Sequence, residues 1–494
     1  MNRRAGCQRA VSQLSGDCHA WFNLVCGLAH GEYSGHHIAT MHSPKTLLLA
    51  GLALLAIPGA HTQPFEPSGI VLTWQKDPTS TMTIDWHSID GMGLELVEKL
   101  SPGHRLPVIE PVATQIREPL LDHRRLGATA WNRTRGQNIP FPFKEDREGS
   151  LHRDGYSHSF PSSGRTIHRV ELTGLAADTL YEIRFDAAGS VYRFRTMPKE
   201  LKREVRFVSG GDVGSGTWTE TMNRIAASHN PDFVLWAGDL AYCDGAQARL
   251  GRWYEFFDSM KKSLVAADRR LIPVLAAPGN HEVAGGYVDS VAKTANKPYS
   301  RTDDELRRKV APYYLSFFAT PGQPGYGVVD FGDYLSILLL DSGHLNPVDG
   351  LQATWIDGVL AQRAKVPHIF PAYHVPGFPT FRPLTDKSGA AIREHWAPLF
   401  EKHRLSVVFE NHDHNFKRTF PIRGGKTDPE GVVYLGDGAW GVFVVGLAKE
   451  PRWYLEKSMP INHFFLAKLN GRKATFEAIN FKNQVIDRHE GRPR

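Results

Sequence analysis

The chain has 494 residues, of which 41% are hydrophobic and 22% are charged, and its formal net charge is +6. This composition is typical of a folded globular protein, and the length favours two domains over one. The positive charge is small and no long basic run concentrates it. The sequence therefore argues against nucleic acid as a dedicated partner and is compatible with anionic substrates.

The first 63 residues consist of two segments. Residues 1–40 hold three of the four cysteines and show little periodicity. Met41 begins a segment in which Lys45 precedes an apolar run, Leu47–Ile57, and small residues follow; this is typical of a secretory signal peptide. A stable membrane span would need about 20 apolar residues. We therefore expect residues 1–40 to be a non-native leader extension, residues 41–63 to be a signal peptide, and the protein to be secreted or periplasmic. An uncleaved anchor or a buried helix is the alternative.

Residues 64–200 alternate polar and apolar side chains with the period of two that indicates β-strands with one buried face. The pattern is clearest in Thr81–Trp86, Tyr181–Asp186 and Tyr192–Arg195. The stretch Leu175–Tyr181 resembles the tyrosine corner of fibronectin type III-like sandwiches. We therefore predict an N-terminal β-sandwich domain. Residues 99–165 interrupt it and are interpreted as a solvated insertion, with a flap over the active site or a partner as the alternative.

From residue 201 onward, apolar strands alternate with segments of helical periodicity, which predicts an α/β domain over residues 201–494. Apolar residues share one helical face over residues 351–360 and again over residues 392–400. Residues 283–326, rich in charged residues and glycine, are predicted to be a surface insertion. Near the end of the chain, Asn470-Gly471 predicts a β-hairpin closed by a type I′ turn.

Five apolar strands of this domain each lead into side chains that bind metal ions in other proteins. In chain order, these side chains are Asp212, Asp239 with Tyr242, Asn280, His374, and His412 with His414. In open α/β sheets, ligands bind at the carboxyl ends of the strands, so we expect these side chains to lie together. Seven ligands of these types suit two adjacent metal ions.

The spacing of the ligands supports two ions. Asp239 can bridge them because a carboxylate has two oxygens. His412 and His414 are two residues apart, and on extended backbone their side chains fall on one side, about 6.5–7 Å apart. Each can then bind a different ion when the ions are about 3.5–4 Å apart. Asp and Tyr oxygens favour a hard, highly charged ion, whereas His, His and Asn favour a divalent one.

The ordered blocks GD, GDxxY, GNHE, a lone His and HxH resemble the purple acid phosphatases of the metallophosphoesterase superfamily, over about residues 66–480. The resemblance implies two packed β-sheets flanked by helices, preceded by a fibronectin type III-like domain. It also implies Fe(III) and a second divalent ion, which is Zn, Fe or Mn. It assigns Asp212, Asp239, Tyr242 and His414 to the ferric site, and Asp239, Asn280, His374 and His412 to the divalent site. Asn411 departs from the family pattern, which usually has Gly there.

The resemblance further implies how the site works. A metal-bound hydroxide would attack the phosphorus in line with the leaving group, without a phospho-enzyme. Asp239, which holds the ions, and His281, which hydrogen-bonds the phosphate or the nucleophile, are the candidate catalytic residues. Asn280 and His281 are also candidate substrate ligands. The loop Val375–Lys387 lacks the histidines that the family often has there, so the leaving-group acid is unassigned, and Arg382 is a candidate phosphate ligand.

Three functions are compatible with the sequence. We favour an exported phosphomonoesterase with acid phosphatase activity, because the tyrosine of GDxxY resembles the ferric phosphatases more than the divalent diesterases. A phosphodiesterase on the same metal centre is the first alternative. An exported binding module with an inactive phosphoesterase domain is the second, and the presence of all seven ligand positions argues against it. The expected partner is the phosphate-ester substrate, and the sequence indicates no oligomeric state.

The signal-peptide hypothesis predicts the amino terminus of the mature protein. We expect sequencing of the purified, active protein to find a first residue between Gly59 and Pro64. An active protein that begins within residues 1–40 would contradict the hypothesis.

Overall fold

In this computed structural model, the structure describes residues 64–89, 93–101, 104–112, 118–139, 149–153, 156–160, 165–288, 304–322 and 324–494. These residues belong to one compact unit, Thr62–Arg494. The predicted signal peptide and the leader extension lie outside the described residues, so both stay predictions.

The part before residue 201 is rich in β-structure, as predicted. Its described strands are β1 Ser68–Thr73, β2 Met82–Ile89, β3 Gly93–Ser101, β4 His104–Val112, β5 Leu120–Arg125, β6 Asn132–Arg135, β7 Gln137–Ile139, β8 Gly149–Arg153, β9 Tyr156–Phe160, β10 Arg165–Leu172, β11 Leu180–Arg184 and β12 Tyr192–Arg195. They form two four-stranded sheets, β1-β2-β10-β7 and β12-β11-β5-β6, and two hairpins, β3-β4 and β8-β9. The three predicted strands are confirmed, since they overlap β2 and β11 and coincide with β12.

The segment predicted as an insertion contributes to both of these sheets. Strand β5 pairs with β11, and β7 pairs with β10, so residues 120–125 and 137–139 are built into the sheets. The Tyr181 hydroxyl accepts a hydrogen bond from the Ala176 N–H at 2.8 Å, the local contact expected of a tyrosine corner. The fibronectin type III-like assignment and the domain limits stay predictions.

The rest of the chain combines strands and helices. Its strands are β13 Val205–Gly210, β14 Phe233–Ala237, β15 Val274–Ala277, β16 Gly327–Phe331, β17 Leu335–Leu339, β18 His368–Ala372, β19 Val407–Phe409, β20 Phe416–Thr419, β21 Ile422–Arg423, β22 Lys426–Thr427, β23 Val433–Gly436, β24 Leu455–Met459, β25 His463–Asn470, β26 Lys473–Asn480 and β27 Val485–Gly491. Its described α-helices are α1 Thr217–Ser228, α2 Gly251–Ser263, α3 Asp304–Val310, α4 Pro312–Phe317, α5 Leu351–Gln362, α6 Lys387–His395 and α7 Ala397–Lys402. None of these helices is long and apolar enough to cross a membrane.

Most of these strands form two large sheets that pack face to face, while β21 and β22 pair with each other in a small separate sheet. One large sheet has the order β15-β14-β13-β25-β26-β27 and the other β16-β17-β18-β19-β23-β20-β24. Neighbouring strands β13, β14 and β15 are parallel, as are β17, β18, β19 and β23. Because successive side chains of a strand point to opposite faces, Phe207 packs between the sheets, 6.0 Å from Phe409, while Val208 packs against the helices outside. This is the architecture that the resemblance implied.

The N-terminal sheets share the core of this domain. The buried Trp74 ring lies 6.1 Å from Phe233 and 5.5 Å from Phe331, in edge-to-face contacts. Arg169 forms an ion pair with Asp85 at 2.7 Å and donates a hydrogen bond to the Ser316 carbonyl at 3.0 Å. Residues from both predicted domains therefore stabilise one continuous hydrophobic cluster.

Two predictions about helices need correction. Residues 283–326 are not simply a surface insertion, because α3 and α4 lie there and bury Tyr313, Tyr314 and Phe317 in the core. The helical face predicted over residues 392–400 belongs to two helices rather than one. Pro398 lies at the start of α7, and proline cannot donate the backbone hydrogen bond that would continue α6.

The predicted hairpin near the end of the chain is confirmed, but its turn differs. Strand β25 pairs with β26 up to Asn470 and Lys473, so the loop is Gly471-Arg472. The φ angle of Gly471 is +56°, whereas Asn470 belongs to the strand and does not adopt a positive φ. The prediction of a type I′ turn over Asn470-Gly471 is therefore wrong, because the loop lies one residue further on and only Gly471 of its two residues has a positive φ.

Candidate metal centre

The predicted ligands follow the carboxyl ends of parallel strands in both large sheets. Asp212 follows β13, Asp239 and Tyr242 follow β14, Asn280 follows β15, His374 follows β18, and His412 and His414 follow β19. The two sheets present these ends at one edge, since side chains from both contact each other there. All seven side chains come together, as the sequence predicted.

The backbone at these positions is unusual. Five of the seven residues have positive φ angles, namely Asp212 (57°), Asp239 (54°), Tyr242 (58°), His412 (82°) and His414 (55°). Left-handed backbone costs about 1–3 kcal/mol at a residue other than glycine, and such residues concentrate at functional sites. The expectation of extended backbone between His412 and His414 was wrong. Their side chains converge because each turns sharply out of the end of β19.

Three ligands form the first of two groups. The His414 Nε2 atom lies 2.9 Å from Asp212 Oδ1, and the Tyr242 hydroxyl lies 3.3 Å from each of these two atoms. A carboxylate oxygen, a phenol oxygen and an imidazole nitrogen thus lie close together. This is the group that the resemblance assigned, together with Asp239, to Fe(III).

The second group surrounds His374. Its Nε2 atom lies 3.0 Å from Asp239 Oδ2, 3.2 Å from Asn280 Oδ1 and 2.8 Å from His412 Nδ1. Ligand atoms of Asp239, His374 and His412 all lie within 4.8 Å of one another, which is compatible with one bound metal ion. The His412 amide donates to Asp212 Oδ2 at 2.8 Å, so the two groups are adjacent.

The outward-facing ring nitrogen of each histidine has a partner that helps to define how the ring binds. These contacts are His374 Nδ1 with the Ala237 carbonyl (3.1 Å), His414 Nδ1 with the Phe443 carbonyl (3.1 Å), and His412 Nε2 with the Tyr287 hydroxyl (3.3 Å). A neutral imidazole that donates through one nitrogen presents a lone pair on the other. His374 Nδ1 donates to the Ala237 carbonyl, so its Nε2 presents a lone pair to His412 Nδ1 at 2.8 Å. The Tyr287 hydroxyl can donate or accept, so His412 Nδ1 either donates to that lone pair or faces the same cation with a lone pair of its own. The donor set therefore fits a metal ion, and the outer partners hold the rings as metal-binding histidines are usually held.

The charges at the centre also fit bound cations. Burial raises the pKa of the Asp239 carboxyl, but the charges of His374, His281 and His412 outweigh it and hold that pKa well below its ordinary value. Burial, with the carboxylates of Asp212 and Asp239, holds the pKa of the Tyr242 phenol well above its usual range. A phenol in this environment becomes a phenolate only beside a strong Lewis acid.

Glu282 holds the loop that carries Asp239. Its buried carboxylate accepts hydrogen bonds from the backbone N–H groups of Gly279, Asp239 and Leu240, each at 2.8 Å. Burial and the Asp239 charge raise the pKa of Glu282 to about 7. Glu282 is the last residue of the GNHE block, but the sequence analysis assigned roles only to the Asn and the His of that block.

His281 stands beside the two groups and is fixed by residues that the sequence analysis missed. Its Nδ1 is hydrogen-bonded to Asp244, which in turn pairs with Arg249. Its Nε2 lies 3.8 Å from Asp239 Oδ2, and 34% of the side chain is exposed. The Nδ1 side of the ring is thus held by Asp244, and its Nε2 side is accessible from the candidate metal centre. Asp244 comes two residues after Tyr242, close enough to the GDxxY block to have been suspected.

Two further aromatic residues at the site lie where sequence reasoning did not look. Tyr287 contacts His412 and comes from the segment predicted as a surface insertion. His344 is buried, with its ring 5.1 Å from that of Tyr287 and 5.6 Å from that of His374. Burial lowers the pKa of His344 to about 3, so the ring is neutral. Neither residue belongs to a motif, and only the fold brings them here.

Asn411 replaces the family's usual Gly without filling the site. The side chain is buried, its Nδ2 donates to the Tyr373 carbonyl at 3.1 Å, and it packs over Gly211. A Cβ atom on Gly211 would lie 2.7 Å from the Asn411 side chain, so that position requires a glycine. Positive φ occurs at His412 and not at Asn411.

Arg382 lies beside the His412 loop. Its Nη1 donates to the His412 carbonyl at 2.7 Å and pairs with Asp413 Oδ1 at 2.7 Å, while 35% of the side chain stays exposed. Asp413 also accepts a hydrogen bond from the Phe381 N–H at 2.6 Å. Arg382 therefore lies next to the candidate metal centre. Its guanidinium contacts the loop that carries His412 and is not itself a predicted ligand.

A fully buried ion cluster anchors these loops. Lys417 pairs with Glu410 and, at 3.1 Å, with Asp437, and none of the three side chains is exposed. Glu410 also accepts the Gly377 N–H at 2.7 Å. Burial favours the neutral amine, but the carboxyl groups of Asp437 and Glu410 raise the pKa of Lys417. Burial also raises the pKa of Asp437 well above its ordinary value, so Lys417 and Glu410 form the ion pair and Asp437 adds a hydrogen bond. The loop with Arg382 and the loop with His412 and His414 are thereby held together.

Similarity to known proteins agrees with this geometry. Residues 210–416, which contain all seven ligand positions, match the family model of the calcineurin-like phosphoesterases. Purple acid phosphatase 22 of Arabidopsis thaliana is 27% identical over 301 residues, which cover 60% of this chain and 64% of that protein. Purple acid phosphatase 21 of the same plant is 27% identical over 343 residues, covering 68% of this chain and 73% of that protein. The match thus spans slightly under two thirds of the first relative.

The fold is also that of a solved relative. The structure of purple acid phosphatase PPD1 from yellow lupin (Lupinus luteus) seeds aligns over 86% of this chain and 74% of that chain, with a TM-score of 0.63 and 16% identity. Residues 210–416 therefore match a calcineurin-like phosphoesterase domain, a class of hydrolases that act on ester bonds. The chain as a whole is similar to purple acid phosphatases in sequence and in fold.

The central position of Asp239 predicts a joint loss of metal and activity. In Asp239→Asn, the loss of the anionic bridge should reduce the metal content from about two ions per chain to less than one. Hydrolysis should fall by more than about 100-fold, since even substitutions behind the ligands cost about 10–100-fold. Elemental analysis and a phosphate-ester assay on the same preparation measure both.

The matched control is Asp333→Asn, which changes an exposed aspartate far from these groups. It should keep both metal and activity. Full activity of Asp239→Asn would refute the dinuclear interpretation.

Proposed function

We propose that the chain is an exported phosphatase that hydrolyses phosphate monoesters with two metal ions. The observation that carries this proposal is the pair of ligand groups around His414 and His374, with Asp239 beside both. Homology to the purple acid phosphatases supports the reaction class. The competing candidate is a phosphodiesterase at the same centre.

The donor chemistry supports different ions in the two groups. Asp212, Tyr242 and His414, with Asp239, would hold Fe(III), because carboxylate and phenolate oxygens suit a hard, highly charged ion. Asp239, Asn280, His374 and His412 would hold a divalent ion, which is Zn, Fe or Mn. Bound ions at these positions would neutralise the phosphate charge and acidify the attacking water.

The protein's own groups then position the substrate. His281 has an open face, and its Nδ1 donates to the Asp244 carboxylate, which fixes the ring. Nε2 donates a hydrogen bond to a phosphate oxygen when the ring is an imidazolium, because both ring nitrogens then carry a proton. Its backbone N–H is already used by Asp239 Oδ1 at 2.9 Å, which fixes the loop as well as the ring. The Asn280 amide supplies one oxygen toward His374 and keeps an NH₂ group for the phosphate.

Arg382 supports a preference for monoesters. Its guanidinium is held in place by Asp413, and a third of the side chain is exposed. The Coulomb attraction between a fixed cation and a phosphate scales with the phosphate charge, so a dianionic monoester gains more than a monoanionic diester. Export is proposed from the segment 41–63 alone.

The proposed iron site predicts a coloured protein. A phenolate of Tyr242 on Fe(III) should give a visible charge-transfer band, and Tyr242→Phe should remove that band while the protein still contains iron. Absorption spectra and iron analysis of the two proteins provide the measurement. Tyr287→Phe is the matched control, because Tyr287 contacts His412 rather than the ferric group, and it should keep the band. An iron-loaded native protein without visible absorption would rule out Tyr242 as a ligand.

The monoester proposal predicts the order of two specificity constants. The kcat/KM value should be higher for an aryl phosphate than for the matching bis-aryl phosphate at some pH between about 4 and 9. Arg382→Ala should lower the monoester value by about tenfold or more, because hydrogen bonds to charged groups are the strong ones. The diester value should fall less.

Arg404→Ala, which removes an arginine whose side chain is 76% exposed, is the control and should change neither value. A preference for the diester at every pH would replace the monoester assignment with the diesterase and leave the metal ligands unaffected.

A further inference from the structure

A cavity of about 410 Å³ lies beside the candidate metal centre. We call it the side cavity, and its walls include Tyr287, Pro347, Val348, Asp386, Lys387 and Ala391. None of these residues is among the predicted metal ligands. The volume is within the range of about 300–1,000 Å³ that is typical of small-molecule sites.

Tyr287 joins the side cavity to the metal centre. Its ring lines the cavity, and its hydroxyl lies 3.3 Å from His412 Nε2. The ring is supported by His344 at 5.1 Å, and the next residue, Val288, donates its backbone N–H to the Gly343 carbonyl at 3.0 Å. If the phosphate of a substrate lies at the predicted ligands, only the Tyr287 side chain separates it from the side cavity.

The walls determine what the side cavity can accept. Pro347, Val348 and Ala391 form apolar surface, and the Tyr287 ring adds an aromatic face. The Asp386 carboxylate accepts the Gly389 N–H at 3.1 Å and caps α6, so this acid already has a structural role. Aromatic rings prefer offset or edge-to-face contact with other rings. Asp349, Lys387 and Ser388 line the rest of the cavity, so it has one apolar and aromatic face and one polar face. An aromatic group fits the face formed by Tyr287, Pro347, Val348 and Ala391.

We propose that the side cavity binds the leaving group of the substrate, and that this group is aromatic. The proposal rests on the phosphatase function proposed above and specifies its substrates as phosphate esters of aromatic alcohols. In the reaction, the water oxygen bonds to phosphorus and the bond between phosphorus and the ester oxygen breaks. The aromatic alcohol then leaves the side cavity with one proton from the water.

Filling the side cavity tests the proposal. Ala391→Phe places a ring in the cavity without touching a proposed metal or phosphate ligand. The kcat/KM value for 1-naphthyl phosphate should fall by about tenfold or more, since one pocket contact is worth about 10–200-fold in specificity. The value for methyl phosphate, which leaves the cavity empty, should change by less than about twofold. Ser388→Phe fills the same cavity from a partly exposed position and should act alike.

Ala361→Phe is the matched control, because Ala361 is exposed on α5, away from the side cavity. It should leave both substrates unchanged. The proposal would be overturned if metal-loaded Ala391→Phe and Ser388→Phe lost activity equally on both substrates, or lost it on neither. The phosphatase function would still stand if the wild-type protein hydrolysed both esters. A wild-type protein that hydrolyses no phosphate ester would overturn both proposals.

Discussion

The buried carboxylate of Asp239 is the constraint on which the site depends. The residue is 1% exposed at the end of β14, and an unpaired charge at such a position would be very unfavourable. Its oxygens face the His281 N–H at 2.9 Å and His374 Nε2 at 3.0 Å. One acid thus draws together the loop after β15 and the loop after β18, which come from different sheets.

The groups behind the predicted ligands are held by hydrogen bonds and ion pairs, as the ligands themselves are. Glu282 accepts three backbone N–H groups around Asp239, and the three histidine ligands each use their outer nitrogen on the protein. The buried cluster of Lys417, Glu410 and Asp437 holds the loops that carry Arg382 and the last two histidines. Breaking a buried ion pair by removing one partner costs about 3–5 kcal/mol, so this support is costly to lose. Strained backbone at the ligands is compatible with such support, because the surroundings fix it from several sides.

The β-rich N-terminal part is joined to the catalytic part through packing rather than through a linker alone. Trp74 contacts Phe233 at the base of β14, the strand that leads to Asp239. Arg169 links strand β10 to α4, the helix that buries three aromatic residues in the catalytic core. The strand that leads to Asp239 therefore packs against residues from both parts of the chain.

The sequence by itself determined the five strands that lead into the seven candidate ligands and three strands of the N-terminal part, because period-two and apolar runs are local patterns and each ligand follows such a run. It did not determine the strands within residues 99–165, which were interpreted as a solvated insertion. It also located the final hairpin, although Gly471 alone supplies the positive φ there. Tertiary structure alone decided that Asp244 orients His281, that Tyr287 and His344 reach His412 and His374, and that Asn411 packs over Gly211. These contacts join residues far apart in the chain or outside any motif, and no local pattern encodes a distance between two loops. The same reason explains the misjudged segment 283–326. Its polar composition concealed three aromatic residues that are buried only in the tertiary structure, where they pack in one cluster with Trp253 and Phe257 of α2.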